Sequence, residues 1–486
     1  MKLSLCVTLR WCLQLPLAAM FVLVCNASGA SALSGQGKVC HLPGSIDALR
    51  CVKVSVPLNY SNSAGAALSL HVTVAPAFRE SARPDPLFVL AGGPGQAGTD
   101  VLPALNLIFR KTRATRDIVF IDQRGTGLSG KLDCPSGPNE EHFSDAQAEA
   151  AIVACIASIK QPLGAYGTAS AARDIEQVRL ALGYNQINLW GGSYGTRLAQ
   201  AYARAYPAKL RSMVLDGVVA PDQIVPAGGH DAQAALDALL AHCAADAQCA
   251  KAYPQLRAEF ISLCQQLARA DLTLTLTDPR TAAPLKVSMT SARFISTVHS
   301  ILYSQLDSRR LPFLIHSAFR GRWEPFIARR NVSADFEADG ATSIILHLAV
   351  VCAEDYPRLS APLLAADTAG SFLGPAQVSR LELMCKRAAL APVASGTPSR
   401  IAAPALLLSG ALDPVTPPRR AQAAAAFMPR AQQLVAQNAG HGVSQLGCAP
   451  RLIREFLDHP EARVAADCLK EIPAPSFQLG SAGPQP

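Results

Sequence analysis

The stretch Leu189-Trp190-Gly191-Gly192-Ser193-Tyr194-Gly195-Thr196 constrains the fold more than any other part of the chain. Residues 187–190 read as a short strand, and a helix is expected from near Tyr194. Between them, Gly191-x-Ser193-x-Gly195 makes a sharp turn. A side chain at either glycine would collide with the neighbouring strand or helix as the chain reverses. A serine on such a turn stands in strained backbone, with its hydroxyl raised at the sheet edge. The start of the helix adds free N–H groups and the positive end of a dipole. The pattern is short enough to occur by chance. It therefore requires partners elsewhere, an acid and then a histidine, in that chain order.

The 486 residues exceed one ordinary domain and can bury a large core. With 50% hydrophobic and 16% charged residues, disorder is excluded. The formal charge of +8 is spread without a dense Lys/Arg block, so no nucleic-acid partner is expected. Lys2 and Arg10, the apolar run to Val24 and small residues up to Ala32 read as a secretory signal over 1–32. The run is short for a membrane span, and no later stretch reads as one. Lipid attachment at Cys25 is the weaker reading, because Val24 stands where a small residue is wanted. The protein is thus expected to be exported, to the periplasm or outside the cell, with no stable membrane span after cleavage.

Export changes how the 14 cysteines read. Most of those after the leader fall in close couples: Cys40/Cys51, Cys134/Cys155, Cys243/Cys249, Cys352/Cys385 and Cys448/Cys468, with Cys264 left over. In an oxidising compartment they are candidate disulfides, although spacing alone does not fix connectivity. Zinc is the competing reading, but there is no C-x-x-C and no histidine pair at ligand spacing. No metal and no cofactor are expected.

Residues 51–58 and 68–76 alternate like strands with one solvated face. Residues 86–91 form a continuous apolar run suited to a buried parallel strand, ending in Gly92-Gly93-Pro94-Gly95. That loop lacks the pattern of a phosphate cradle. After a strand it can instead supply a bare backbone N–H donor. A further strand at 117–122 runs into a glycine-bearing loop with Arg124, either a surface residue or a buried tie between loops. An amphipathic helix over 168–183 precedes the Ser193 strand, and another strand follows at 210–217. This alternation means βαβ units and a mostly parallel sheet. From about 221 the pattern gives way to helix and loop, and strands resume at 404–410 and 431–437, with a closing helix at 449–458. The expected organisation is a core over 33–220 and 399–475, an inserted, mainly helical lid over 221–398, and a flexible tail over 476–486.

Asp413 follows the strand ending at Gly410, and His441 follows the last strand. Both therefore project from C-terminal strand ends, the edge on which Ser193 stands. Their order matches the one required. In these positions His441 would take the Ser193 proton, Asp413 would hold the imidazole, and Ser193 would attack a carbonyl to form an acyl-enzyme. The backbone N–H groups of Gly93 and Tyr194 are the candidate oxyanion donors.

Taken together, Ala91-Gly-Gly-Pro-Gly95, Asp122-Gln-Arg-Gly-Thr-Gly127, Gly191-Gly-Ser-Tyr-Gly195, Gly410-Ala-Leu-Asp413 and Gly440-His441 resemble α/β-hydrolases of the proline iminopeptidase type (peptidase family S33). The likeness leans toward the secreted tripeptidyl-aminopeptidase-like branch and runs from about Cys40 to Cys468. It implies an α/β-hydrolase fold and hydrolysis of a peptide bond near a free N-terminus. It also implies Ser193, Asp413 and His441 as triad, with Gly93 and Tyr194 as oxyanion donors. Ala91 departs from the histidine that commonly opens the family's glycine motif, which puts specificity in doubt but not the backbone donor. An aminopeptidase must also hold an ammonium. The segment Cys352-Ala-Glu354 resembles that branch's lid, so Glu354 is the candidate anchor, against the alternative of a surface carboxylate beside a disulfide. The competing functions are a carboxylesterase or lipase-like hydrolase of the same fold, and a binding module that has kept the fold.

Overall fold

A computed structural model describes residues 37–134, 143–277, 282–330, 342–394, 398–474 and 476–483. The expected signal at 1–32, with Cys25, lies outside the described residues. In chain order the first strands are β1 (Lys38–Cys40), β2 (Leu49–Pro57), β3 (Ala67–Ala75), β4 (Leu87–Leu90), β5 (Ile118–Ile121), β6 (Ile187–Gly192) and β7 (Leu210–Asp216). A hairpin, β8 (Leu272–Thr277) with β9 (Pro284–Met289), stands apart, and β10 (Ala405–Gly410) and β11 (Ala431–Ala436) complete the set.

Nine strands form one sheet in the order β1-β2-β3-β5-β4-β6-β7-β10-β11. The first three pair antiparallel, and every pairing from β5 to β11 is parallel. The central strands β4, β5 and β10 are buried along their whole length, which explains why their sequences are unbroken apolar runs. Alternate residues serve opposite faces. Phe88 and Leu90 of β4 join Ile175, Val178, Leu198 and Tyr202 in one core. Leu87 and Val89 join Leu452, Ile453 and Phe456 in the other. The sheet is thus sandwiched between helices Thr168–Ala181 and Tyr194–Ala205 on one face and Ala449–Asp458 on the other.

Between β7 and β10 the chain builds a third core of its own, from Leu236 to Ile327. It is made mostly of helices, among them Gly229–Ala245, Leu256–Arg269 and Ser291–Tyr303. The hairpin is a departure from the expected helix and loop. Its first strand reads Leu-Thr-Leu-Thr-Leu-Thr, with half-buried leucines alternating with exposed threonines, the period of a strand with one wet face. Helix Ile344–Glu354, later in the same segment, packs instead on the core beside helix Thr168–Ala181.

All five cysteine couples are joined as disulfides, and Cys264 is free. Such bridges are compatible with an oxidising compartment. No helix among the described residues is long and apolar enough to cross a membrane.

Candidate active site

Ser193 lies between the end of β6 and helix Tyr194–Ala205 with φ +52° and ψ −121°. A non-glycine residue there is strained, and the surroundings hold it in place. Its N–H donates to the Asp216 carbonyl of neighbouring β7 (2.9 Å), and its carbonyl accepts from the Thr196 N–H (2.9 Å). The flanking glycines have the steric cause expected of them. A Cβ on Gly191 would overlap the Gly195 carbonyl, and one on Gly195 would overlap the Leu90 carbonyl of β4.

Asp413 is buried in the turn after β10. Its Oδ1 accepts the Val415 and Thr416 N–H groups (2.9 and 2.8 Å), closing its own turn. Its Oδ2 faces the Thr416 hydroxyl (2.7 Å) and Nδ1 of His441 (2.8 Å). The His441 N–H donates to the Tyr303 carbonyl (2.8 Å), and the Tyr303 ring stands edge-on to the imidazole, centroids 5.2 Å apart.

Sequence reasoning missed Asp216 at the end of β7. Its buried carboxylate accepts the Val443 N–H (2.9 Å) and the Ser444 N–H (2.7 Å), fixing the loop that carries His441. The signal for it was Leu-Asp-Gly217 at a strand end. A Cβ on Gly217 would stand 3.0 Å from both the His441 ring and the Thr416 hydroxyl.

These charges settle one another. Burial alone would lift the Asp413 carboxyl, but His441 and the Thr416 and Val415 N–H groups bring it below its ordinary value. Burial pulls His441 down, and the Asp413 charge and hydrogen bond, with Asp216, lift it above its ordinary value. Asp216 is pushed up by burial, against its backbone partners.

Ser193 and His441 face a common cavity of about 420 Å³, whose lining includes Gly92 and Gly93. A Cβ on Gly92 would lie 3.1 Å from the Gly192 carbonyl and from Cβ of Ser193, so this loop is pressed against the serine. Gly93 has φ +101°. The Ser343 N–H, at the start of helix Ile344–Glu354, donates to the Gly95 carbonyl (2.9 Å) and pins the loop from above. The Tyr194 side chain points away from the cavity, its hydroxyl 2.7 Å from Oγ1 of Thr168.

Glu354 is not brought to this cavity. Its Oε1 accepts the Thr168 N–H and its Oε2 the Thr168 hydroxyl, both at 2.7 Å, so it caps the start of helix Thr168–Ala181. Next to it, Asp355 makes a bidentate pair with Arg197 (2.7 and 2.9 Å) and a bond to Arg358 (2.7 Å). Together these residues clamp helix Ile344–Glu354 onto the helix that follows Ser193. Arg124 is the buried tie. It binds Asp174 through two bonds (2.7 and 2.6 Å) and the carbonyls of Leu58 and Ala165.

The profile of the α/β hydrolase fold matches residues 85–444, about three quarters of the chain. This chain is an α/β hydrolase. Among curated relatives, YuaR of Escherichia coli (strain K12), which carries only the general name of hydrolase, is 32% identical over 223 residues, 41% of this chain and 44% of that one. Serine protease Hip1 of Mycobacterium tuberculosis (strain ATCC 25618 / H37Rv) is 27% identical over 190 residues, 35% of this chain and 36% of that one. Tripeptidyl aminopeptidase of Streptomyces lividans is 30% identical over 195 residues, 36% of each. The matched stretches thus span less than half the length of these relatives.

Proposed function

We propose that this α/β hydrolase is an exported serine aminopeptidase that releases short N-terminal peptides or residues. The observation that carries the chemistry is the 2.8 Å bond from Nδ1 of His441 to Asp413, on a loop that shares a cavity with the strained Ser193. In this reading Nε2 of His441 takes the hydroxyl proton as Ser193 attacks the scissile carbonyl. The Tyr194 and Gly93 N–H groups receive the oxyanion. His441 then gives its proton to the departing amine, leaving an acyl-enzyme that water hydrolyses by the same route. In this reading residues 221–398 are the lid inserted in a core made of 33–220 and 399–475, with helix Ile344–Glu354 seating it on that core and 476–486 as tail. The serine protease and aminopeptidase names of the relatives support a peptide with a free N-terminus as substrate. The five disulfides support export. Glu354 takes a positioning role here, because both its oxygens are engaged by Thr168.

A carboxylesterase is the second reading, and one observation favours it. Asp216 is the only carboxylate among the described lining residues, and backbone N–H groups occupy it. A substrate ammonium would find no unengaged carboxylate among these lining residues. Turnover of fluorogenic peptides with free and with blocked N-termini, beside an aryl ester of the same acyl group, decides between them. Faster turnover of the free peptides supports the aminopeptidase. Equal turnover of both peptides removes the aminopeptidase and leaves a serine hydrolase of peptides, whereas turnover of the ester alone supports the esterase.

A further inference from the structure

One wall of the cavity is unused by the chemistry above. Helix Ser291–Tyr303 presents Ser296, His299, Ser300 and Tyr303 to it. These positions recur at helical spacing and share one face. Nε2 of His299 is buried and has no hydrogen-bond partner among the described residues. A buried nitrogen left unpaired is costly, and beside a cavity an incoming group can supply the missing bond. The His299 ring stands edge-on to Tyr303 (centroids 5.3 Å), and Tyr303 edge-on to His441 (5.2 Å). His299 is thus one ring beyond the proposed base. A leaving group must receive its proton from His441, so the residues flanking His441 are the ones it meets.

The wall is also uncharged. Burial, reinforced by His441 and opposed by Asp413, brings the His299 imidazole down to about 4, so it is neutral at pH 7. A charged group would find no counter-ion here, whereas an amide offers an N–H and a carbonyl that an imidazole and two hydroxyls can match.

We infer that His299 is a substrate-binding residue: with Ser296 and Ser300 it forms a neutral hydrogen-bonding wall for an uncharged amide of the leaving group, such as the next peptide bond of a peptide. The inference rests on the serine-hydrolase reading above. It is tested with one acyl group carried on two leaving groups, a dipeptide amide and a plain arylamine, against wild type, His299→Phe and His299→Asn. His299→Phe should lose roughly tenfold in kcat/KM, mainly through KM, on the dipeptide amide, and less than about twofold on the arylamine. His299→Asn should recover part of the loss. Ser296 and Ser300 are exposed, so the Ser296→Ala/Ser300→Ala double variant folds even if His299→Phe does not. It should show the same leaving-group-selective loss. Equal loss on both leaving groups, or loss on neither, overturns the inference. Labelling of Ser193 by a fluorophosphonate tests the underlying reading separately. An enzyme that labels but cleaves only esters is compared on amide-bearing and plain alcohol leaving groups, with the same two outcomes. A chain that does not label loses both readings.

Discussion

Asp413 is a buried carboxylate and Glu354 a half-buried one, and each has two well-bonded oxygens. What separates them is the partner. Asp413 spends one oxygen on its own turn and gives the other to an imidazole that faces the cavity. Glu354 spends both on a helix start and does not line the cavity. The first arrangement leaves a group able to accept a proton and the second leaves none. Two bonded oxygens are common to both, so hydrogen bonding alone does not separate them; the identity of the bonded neighbour does, and it is what supports the proposed role of Asp413.

The contrast breaks most visibly at the serine. Ser193→Ala should lower kcat by roughly a millionfold, read in single-turnover assays on an activated ester, because in the proposed mechanism its hydroxyl is the nucleophile. A residual rate within a hundredfold of wild type would remove Ser193 from the chemistry. Asp413→Asn comes next. It keeps the shape of the turn but offers the imidazole the wrong hydrogen-bonding pattern, and a fall in kcat of about 10⁴ is expected.

Much of this is legible in the sequence. The elbow glycines, the order serine, acid, histidine and the strand ends that carry them follow from local patterns, which backbone sterics enforce. The reading was less complete wherever the cause is tertiary. Asp216 looks like an ordinary strand end until Val443 and Ser444 fold onto it. Cys-Ala-Glu354 carries the right residue type, yet nothing local says that Thr168 will claim both oxygens. His299 lies on an amphipathic helix whose polar stripe looks solvated until the cavity appears beneath it. The hairpin β8–β9 had its alternation in plain view and was hidden by the helices around it.

The pH profile sharpens the comparison at smaller amplitude. In the proposed mechanism His441 must be neutral to act as base; burial pulls its imidazole down, and the Asp413 charge and hydrogen bond, with Asp216, hold it above its ordinary 6.5. Log kcat/KM should therefore rise with pH through an apparent value above 6.5, falling about tenfold per unit below it. The midpoint belongs to the coupled pair rather than to one residue. In Asp413→Asn the midpoint should move down, since the charge that lifts the imidazole is gone. A midpoint that stays in place would separate His441 from Asp413.

The smallest effects fall on Glu354, and they test the comparison from its other side. Burial lifts its carboxyl above the ordinary value, against the Thr168 hydrogen bonds and the Arg197 charge. The ionised form is thus disfavoured by folding. Its contribution to stability is greatest below its ordinary value of 4.5 and declines as pH rises through the higher folded value. Glu354→Gln keeps an acceptor for the Thr168 N–H and removes the buried charge, so the two losses offset and thermal stability at pH 7 should change by less than about 1 kcal/mol. Glu354→Ala leaves the start of helix Thr168–Ala181 uncapped and should cost about 1–3 kcal/mol. Both variants should keep kcat on an aryl ester within about threefold. On peptides, the preference for a free over a blocked N-terminus should be unchanged in Glu354→Gln. A preference that collapses in this variant, with stability intact, would mean that the carboxylate leaves Thr168 to bind an ammonium, and the distinction from Asp413 would then be one of occupancy rather than of kind.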